Sequence, residues 1–576
     1  MRRLLAVGLA IFLVASACQT TTTPNASGTP GASGGTATGV KGGRLIQGVA
    51  TEITGLQPIL SADDSEIVWS NFYPRILQND PTTGELGPGL AQSYDISSDG
   101  LTITFHMRPN VKWSDGAVFD GNDYKYSVEA TVRAKKPIRK PSFNRIVGFQ
   151  DYVDGKTDSM AGLTVSSDGL TVTVKLASTL CTVARALASA GGGVLPMHSF
   201  LKYFNNKSTD VTQTIDAAPL NDAPPASVGP WVFKEWQRGV SVTMTRNDNY
   251  WKGAPLLDEY VVKLYSNPAA VKAALLTGEI TIAPVDPTDV AEVQSSGGSK
   301  LVINKQKIAT NYNYIGWNEK APKAPWLAVP EVRQALWYGL DVKTIIDKVL
   351  LGNGSQMYTH VPQESWAYPS SGINTYDFNV ATAKSLLEKA GAKMGSDGIY
   401  RWTDGAPMQM RLESTQQGSA VMSVAQEQYK AIGIKIDTIT ESQQALFDRN
   451  DPTNFDHEGT LTGNSVSPDP DGAYIFFNSN QQGKAQFNWF HYVNADVTAK
   501  LESGRFGPDC SQATRKTLYQ AVNKQVNNDA VYTWLYAPVS IMFASSKLHN
   551  FAQKPYGIST SGESWDWNSE KLWLDK

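Results

Sequence analysis

Hydrophobic and polar positions alternate cleanly along several short stretches of this chain. Leu101, Ile103, Phe105 and Met107 alternate with Thr102, Thr104 and His106, the period of a strand with one buried and one wet face. Asp99–Gly100 stands just before them and reads as a tight turn. The phrase returns as SSDGLTVTVKL at 166–176, with Asp168–Gly169 and alternation from Leu170 to Leu176. Two such hairpins in neighbouring stretches predict sheet elements of one domain. Val240, Val242 and Met244 predict a further strand.

Other stretches carry helical spacing. Pro330 suits a first turn, where its missing N–H costs nothing. Val332, Ala335, Leu336, Gly339 and Leu340 follow on one face. Asn379 and Gly391 bracket a second helix as N-cap and C′ residues, with Val380, Ala383, Leu387 and Ala390 as its inner stripe. Helices are also expected over 419–432, ending before Gly433, and over 511–527. Strands and helices mix without a fixed period, so the chain reads as α/β and not as a solenoid or propeller.

The N-terminus follows a different pattern. Arg2 and Arg3 precede the apolar run Leu4–Val14, and small residues lead to Cys18. This is a secretory signal, residues 1–17, too short to span a bilayer. The cysteine after the small residues resembles the lipobox of bacterial lipoproteins, which implies cleavage after Ala17 and lipid on Cys18. Ala15 stands where that motif usually carries Leu. Residues 18–41 hold one large apolar side chain, Val40, and read as a flexible linker that would reach about 25 Å.

About 535 residues remain, enough for several domains. Net charge is −3 with both signs interspersed, which argues against a nucleic-acid partner. No later stretch approaches a membrane span. GxSxG and P-loop motifs are absent, and His457–Glu458 lacks the second His of a zincin. The six histidines are scattered and no Cys/His spacing suits zinc, so neither a metal nor a cofactor is expected. Asp469, Asp471 and Gly472 echo an EF-hand loop, but Asn478 stands where its bidentate Glu belongs. Cys181 lies in LASTLCTVARAL, a setting for a buried thiol behaving as a small hydrophobe. It is therefore read as a buried thiol, with pairing to Cys510 as the alternative in an exported chain.

The segment Leu90–Ser127, LAQSYDISSDGLTITFHMRPNVKWSDGAVFDGNDYKYS, carries Arg108, Asn110, Trp113, Ser114, Asp115, Gly116, Asp123 and Ser127 in a characteristic order. Leu195–His198, Gly229–Trp231, Arg246–Trp251, Val332–Leu336 with Asp341, Ala383–Gly391 and Pro468–Pro470 follow in sequence. This ordered set resembles family 5 of the bacterial extracellular solute-binding proteins, which serve oligopeptide, dipeptide and nickel ABC importers. Most of the matched residues read as structural: Asp123 as a helix cap, and Arg333 and Asp341 as packing residues two turns apart on one helix.

The resemblance implies a periplasmic binding protein type II fold: two lobes around a cleft, with an additional inserted domain. Domain I is expected over 42–86, 228–308 and 538–576, domain II over 87–227, and domain III over 309–537. Hinge strands are expected near Thr310–Trp317 and Thr533–Ser540. Candidate ligand-binding residues near the hinges and the PDP segment are Tyr312, Asn313, Tyr314, Trp317, Asn464, Asp469, Asp471, Trp489, Tyr492, Trp534 and Tyr536, with Phe490 beside them. Oligopeptide binders of the family carry an Asp that pairs with the peptide's α-amine. Here an ungapped match places Val466 there, and Gly463 where a Trp is common. Asp469 or Asp471 could substitute, or the solute could be an oligosaccharide stacking on aromatics.

The expected function is capture of a peptide-like solute by cleft closure and delivery to ABC permease subunits, without catalysis. The protein is expected to be a monomer held by lipid on Cys18 at the outer face of the cytoplasmic membrane, or in the periplasm. The rival from another class is an exported hydrolase such as a glycosidase.

Overall fold

The structure is a computed structural model that describes residues 39–61, 65–80, 84–137, 140–190, 193–305, 311–415, 418–551 and 568–575. Residues 1–17, expected to be a signal, and Cys18 lie outside the described residues. Among the described residues, three sheets carry the architecture. A seven-stranded sheet runs in the order Leu301–Lys305, Ile541–Ser545, Ile282–Pro284, Arg44–Val49, Glu259–Leu264, Ser241–Arg246 and Trp231–Gln237. A four-stranded sheet is built from Ala91–Ile96, Thr102–Met107, Thr171–Lys175 and Leu163–Val165. A six-stranded sheet runs Gly354–Gln356, Tyr532–Pro538, Asn311–Trp317, Gly459–Ser465, Gln409–Ser414 and Lys435–Thr440.

The alternating stretches fold as their pattern requires. Ile103, Phe105 and Met107 are buried, and the two expected hairpins lie in the same antiparallel sheet, Thr102–Met107 pairing with Thr171–Lys175. Their turns use one device twice. Asp99 Oδ1 accepts from Ser97 Oγ and Leu101 N, and Asp168 Oδ1 accepts from Ser166 Oγ and Leu170 N. Each is followed by a glycine at positive φ, 68° at Gly100 and 74° at Gly169, where a Cβ would be strained. The helices Pro330–Tyr338, Val380–Lys389, Ser419–Ala431 and Gln512–Asn528 fall on the expected segments. Asn379 caps its helix by accepting from Thr382 N.

Two local expectations are corrected. The helix Gly121–Arg133 is capped by Asp120, and Asp123 sits at N3, completing a capping box. The Asp123 carboxyl also accepts from Trp113 Nε1 at 3.2 Å and Met197 N at 2.9 Å. Burial pushes its pKa up to about 6. Arg333 and Asp341 lie on different helices, because Asp341 is the N-cap of Val342–Lys348. Arg333 instead donates to the Leu327 and Asp529 carbonyls, a structural role.

Apolar packing follows the sheets. One core joins the seven- and four-stranded sheets through residues such as Leu45, Val242 and Tyr260 with Ile103, Phe105 and Val172. The six-stranded sheet separates two other cores, one around Trp317, Leu336 and Tyr429 and one around Tyr314, Phe477 and Trp534. The chain passes between the seven-stranded and the six-stranded sheet twice, between Lys305 and Asn311 and between Pro538 and Ile541. The strands on either side pair with each other, Leu301–Lys305 with Ile541–Ser545 and Asn311–Trp317 with Tyr532–Pro538.

The cysteines overturn the sequence reading. Cys181 and Cys510, 329 residues apart, form a disulfide with Cα atoms 4.9 Å apart. The apolar context of Cys181 is real, with Leu180 and Val183 buried beside it, but Cys181 itself is only half-buried and is paired. On the chain-entropy account a loop this long gains about 5–6 kcal/mol from the bridge.

Candidate ligand-binding site

Alternation along Asn311–Trp317 divides the candidate residues between two faces of the six-stranded sheet. Tyr312 and Tyr314 pack with Trp534 in one core, their rings 5.3 and 5.9 Å from the indole. Ile315 and Trp317 enter the opposite core, where Trp317 Nε1 donates to Thr533 Oγ1 at 2.9 Å. The pairing with Tyr532–Pro538 shifts register between Asn313 and Tyr314. This bulge turns Tyr536 away from Trp534 and into the core that holds Trp317. The structure therefore brings Tyr312, Tyr314 and Trp534 together, and sets Asn313, Trp317 and Tyr536 on the other face.

Asn464 joins the first group. It lies opposite Tyr312, and its Nδ2 donates to the Tyr314 hydroxyl at 3.1 Å and the Tyr312 hydroxyl at 3.4 Å. Tyr492 and Trp489 belong to the same core. The Tyr492 hydroxyl donates to Asp529 Oδ2 at 2.7 Å. Burial pushes the Tyr536 hydroxyl up to about 12. Gly463 lies opposite Asn313, and a Cβ there would come within 2.8 Å of the Tyr312 carbonyl and 3.1 Å of Asn313 Oδ1. Val466 is half-buried against the aromatic core.

The two acids of the PDP segment are held internally. Both oxygens of Asp469 accept from Arg515, each at 2.7 Å. Arg515 Nε donates to the Gly504 carbonyl at 3.0 Å. Asp471 accepts from the Tyr519 hydroxyl at 2.9 Å and lies 3.5 Å from Arg505 Nε. Burial raises the Asp471 pKa against the opposing pull of Arg505. His360 fixes the same segment from behind, with its Nε2 3.1 Å from the Pro470 carbonyl. Asp469 and Asp471 thus anchor this loop to the helices Ala495–Phe506 and Gln512–Asn528 and are not free carboxylates.

Two surfaces were not singled out from sequence. Phe447 and Phe487 are 42% and 43% exposed and flank Trp489, with ring centroids 5.4 and 5.9 Å from it. Phe476 continues the row 6.4 Å from Phe487. The clue lay in the helix Gln443–Asn450, where buried Leu446 turns its neighbour Phe447 outward. The helix that carries Phe447 follows the carboxyl end of Lys435–Thr440, which runs parallel to Gln409–Ser414. Ligands of open α/β sheets bind at such ends. The second surface is a crevice of about 380 Å³ between residues 54–61 and 216–222. Among the described residues it is lined by Gln57, Asn221 and two carboxylates, Asp216 and Asp222, and by no cationic side chain. Sequence offered no signal for it, since its walls are far apart along the chain and irregular.

Among the described residues, no group of three metal-ligating side chains is gathered, and no helix is long and apolar enough to cross a membrane.

The sequence profile of the bacterial extracellular solute-binding proteins, family 5, matches residues 85–485. The oligopeptide-binding protein AppA of Bacillus subtilis is 28% identical over 586 residues, covering 99% of this chain and 97% of its own. The structure of that protein in complex with a nonapeptide superposes with a TM-score of 0.71 at 27% identity, over 93% of this chain and 100% of the other. The ABC transporter substrate-binding protein CtaP of Listeria monocytogenes shares the fold, with a TM-score of 0.76 at 22% identity over 93% and 100% of the two chains. The α/β architecture is that of the type II periplasmic binding proteins, and the chain belongs to family 5 of the bacterial extracellular solute-binding proteins.

Proposed function

We propose that this chain is the capture subunit of an ABC importer and that its solute is peptide-like. The observation that carries this reading is the end-to-end likeness to an oligopeptide-binding protein, at 28% identity over 99% of this chain. The three sheets support a division into domain I (42–86, 228–308, 538–576), domain II (87–227) and domain III (309–537). Domain III would swing against the other two about the paired crossings. The solute would lie between the lobes, stacking on the exposed rings of Phe447 and Phe487, with Trp489 buried between them. Tyr312, Tyr314, Asn464, Tyr492 and Trp534 would shape the wall behind it, and Asn313, Trp317 and Tyr536 the hinge face. Permease subunits would read the closed form.

Lipid on Cys18 would hold the protein at the outer face of the cytoplasmic membrane. The N-terminal pattern supports this, and labelled-palmitate incorporation that survives Cys18→Ala would overturn it.

Thermal unfolding with panels of tri- to pentapeptides and of oligosaccharides tests the solute class. A peptide at 100 times its Kd stabilises by about 2.7 kcal/mol. Stabilisation by oligosaccharides alone, or turnover of any substrate, would overturn the peptide reading.

A further inference from the structure

The Cys181–Cys510 bridge does more than close a long loop. Cys181 belongs to the body of the seven- and four-stranded sheets, flanked by Leu180 and Val183 of its core. Cys510 precedes the helix Gln512–Asn528, whose Tyr519, Val522 and Val526 belong to the aromatic core of the other body. The bridge is therefore a third covalent connection between bodies that the backbone links only at the paired crossings. It does not stand alone. Cys181 N donates to the Arg505 carbonyl at 2.8 Å. The Arg145 guanidinium lies 4.3 Å from the centre of the Phe506 ring. Phe506 itself packs against the core of the first body.

The paired crossings have their own, separate cluster of contacts. Lys305 Nζ donates to Asn353 Oδ1 at 2.7 Å, Asn353 Nδ2 donates to the Pro287 carbonyl at 3.2 Å, and Val539 N donates to the Asn353 carbonyl at 3.0 Å. No residue is shared between the two clusters. Disulfides tolerate Cα separations of about 4.4–6.8 Å, so from 4.9 Å the stapled atoms can part by only about 2 Å. Two rigid bodies fixed at two separate places keep one free rotation, about the line that joins them.

We infer that the Cys181–Cys510 staple is a second pivot that confines lobe movement to rotation about the axis through the crossings and the staple. This rests on the reading of the chain as a solute receptor that closes on its ligand, and adds the direction and limit of that motion. The staple is also tied to the PDP segment. Gly504, Arg505 and Arg515 link the staple's neighbourhood to Asp469 and Asp471. A shift of that segment on solute binding would act on the pivot directly.

Small-angle scattering on the ligand-free protein tests the pivot without any solute. A compact chain of this size has a radius of gyration of about 24 Å. The double variant Cys181→Ser with Cys510→Ser is expected to widen by about 1–2 Å as further rotations open. Wild type reduced and then cross-linked between Cys181 and Cys510 with bis-maleimidoethane should return toward the oxidised value, which covers the case of a double variant that fails to fold. Equal radii for oxidised, reduced and cross-linked wild type would overturn the pivot. Trialanine-induced stabilisation, measured in the same samples, is a separate readout: its absence would count against the peptide reading and leave the scattering result standing.

Discussion

Arg515 grips both oxygens of Asp469, each at 2.7 Å, with side chains 7% and 14% exposed. Asp469, one of the two carboxylates that sequence offered as a stand-in partner for a peptide's α-amine, is already neutralised, and the other, Asp471, is held by Tyr519 and Arg505. Val466 supplies no charge at the position matched to the acid of the oligopeptide binders. A buried ammonium without a counter-charge is costly, so the α-amine should stay in solvent or be dispensable. N-acetylated tetrapeptides are expected to bind within about threefold of the free ones, under the 1.4 kcal/mol that makes a tenfold change. Isothermal titration with matched pairs checks this; a hundredfold loss on acetylation would point to an unrecognised acid.

The same pair makes a stability prediction. Removing one partner of a buried ion pair strands the other, at about 3–5 kcal/mol. Arg515→Leu should therefore cost about 3 kcal/mol in urea unfolding. Adding Asp469→Leu should recover part of that loss, because the stranded charge is gone.

Phe447 and Phe487 are exposed at the flanks of Trp489, so truncating them removes little core. Phe447→Ala and Phe487→Ala should each leave the melting temperature within a few degrees, a change of under about 1 kcal/mol. If the solute stacks there, peptide affinity should fall about three- to tenfold per ring. Unchanged affinity in the double variant would move the solute off this surface.

Glu413 is fully buried at the carboxyl end of its strand, with Arg449 Nε 3.3 Å and Arg411 Nε 3.9 Å away. Arg449 is also shared with Glu441, and Arg411 with Glu458. Burial pushes the Glu413 pKa up from 4.5 to about 7, against the pull of the two guanidiniums. The folded state thus holds this proton more tightly than the unfolded chain. The stabilisation is complete below pH 4.5 and is lost as pH rises through 7. Between pH 5 and 8 wild type should lose about 1–2 kcal/mol more than Glu413→Gln, after allowance for screening. His360 acts in the opposite sense: burial lowers its pKa from 6.5 to about 4, so its contribution is present above pH 6.5 and fades on acidification. Denaturant titrations at about pH 5, 6.5 and 8 separate the two.

Local structure was legible where a short stretch decides it. The two Ser-x-Asp-Gly turns, the Asn379 cap and the Pro330 helix start all follow from residues close together in the chain. The Asp120–Asp123 box shows the limit, since two acids three apart can each look like the cap. Faces were harder. Alternation alone would keep positions 534 and 536 on one face, and only the bulge in the pairing with Asn311–Trp317 reveals that Trp534 and Tyr536 part company. Long-range chemistry was not legible at all. Nothing near Asp469 in sequence points to Arg515, 46 residues on, and nothing near Cys181 points to Cys510.

The bridge between those cysteines also sets a timetable. At about 5–20 residues per second, residue 510 follows residue 181 by about 20–60 s. Throughout that interval Cys181 waits as a free thiol in a chain with three cysteines in all. The only other thiol then available is Cys18, and a disulfide between the two, made by the same thiol oxidant that makes the native bridge, would be a wrong pairing that has to be reopened by exchange. On the proposed reading, lipid on the Cys18 sulfur would remove that competitor. An anchor and a fidelity device would then be the same chemical step.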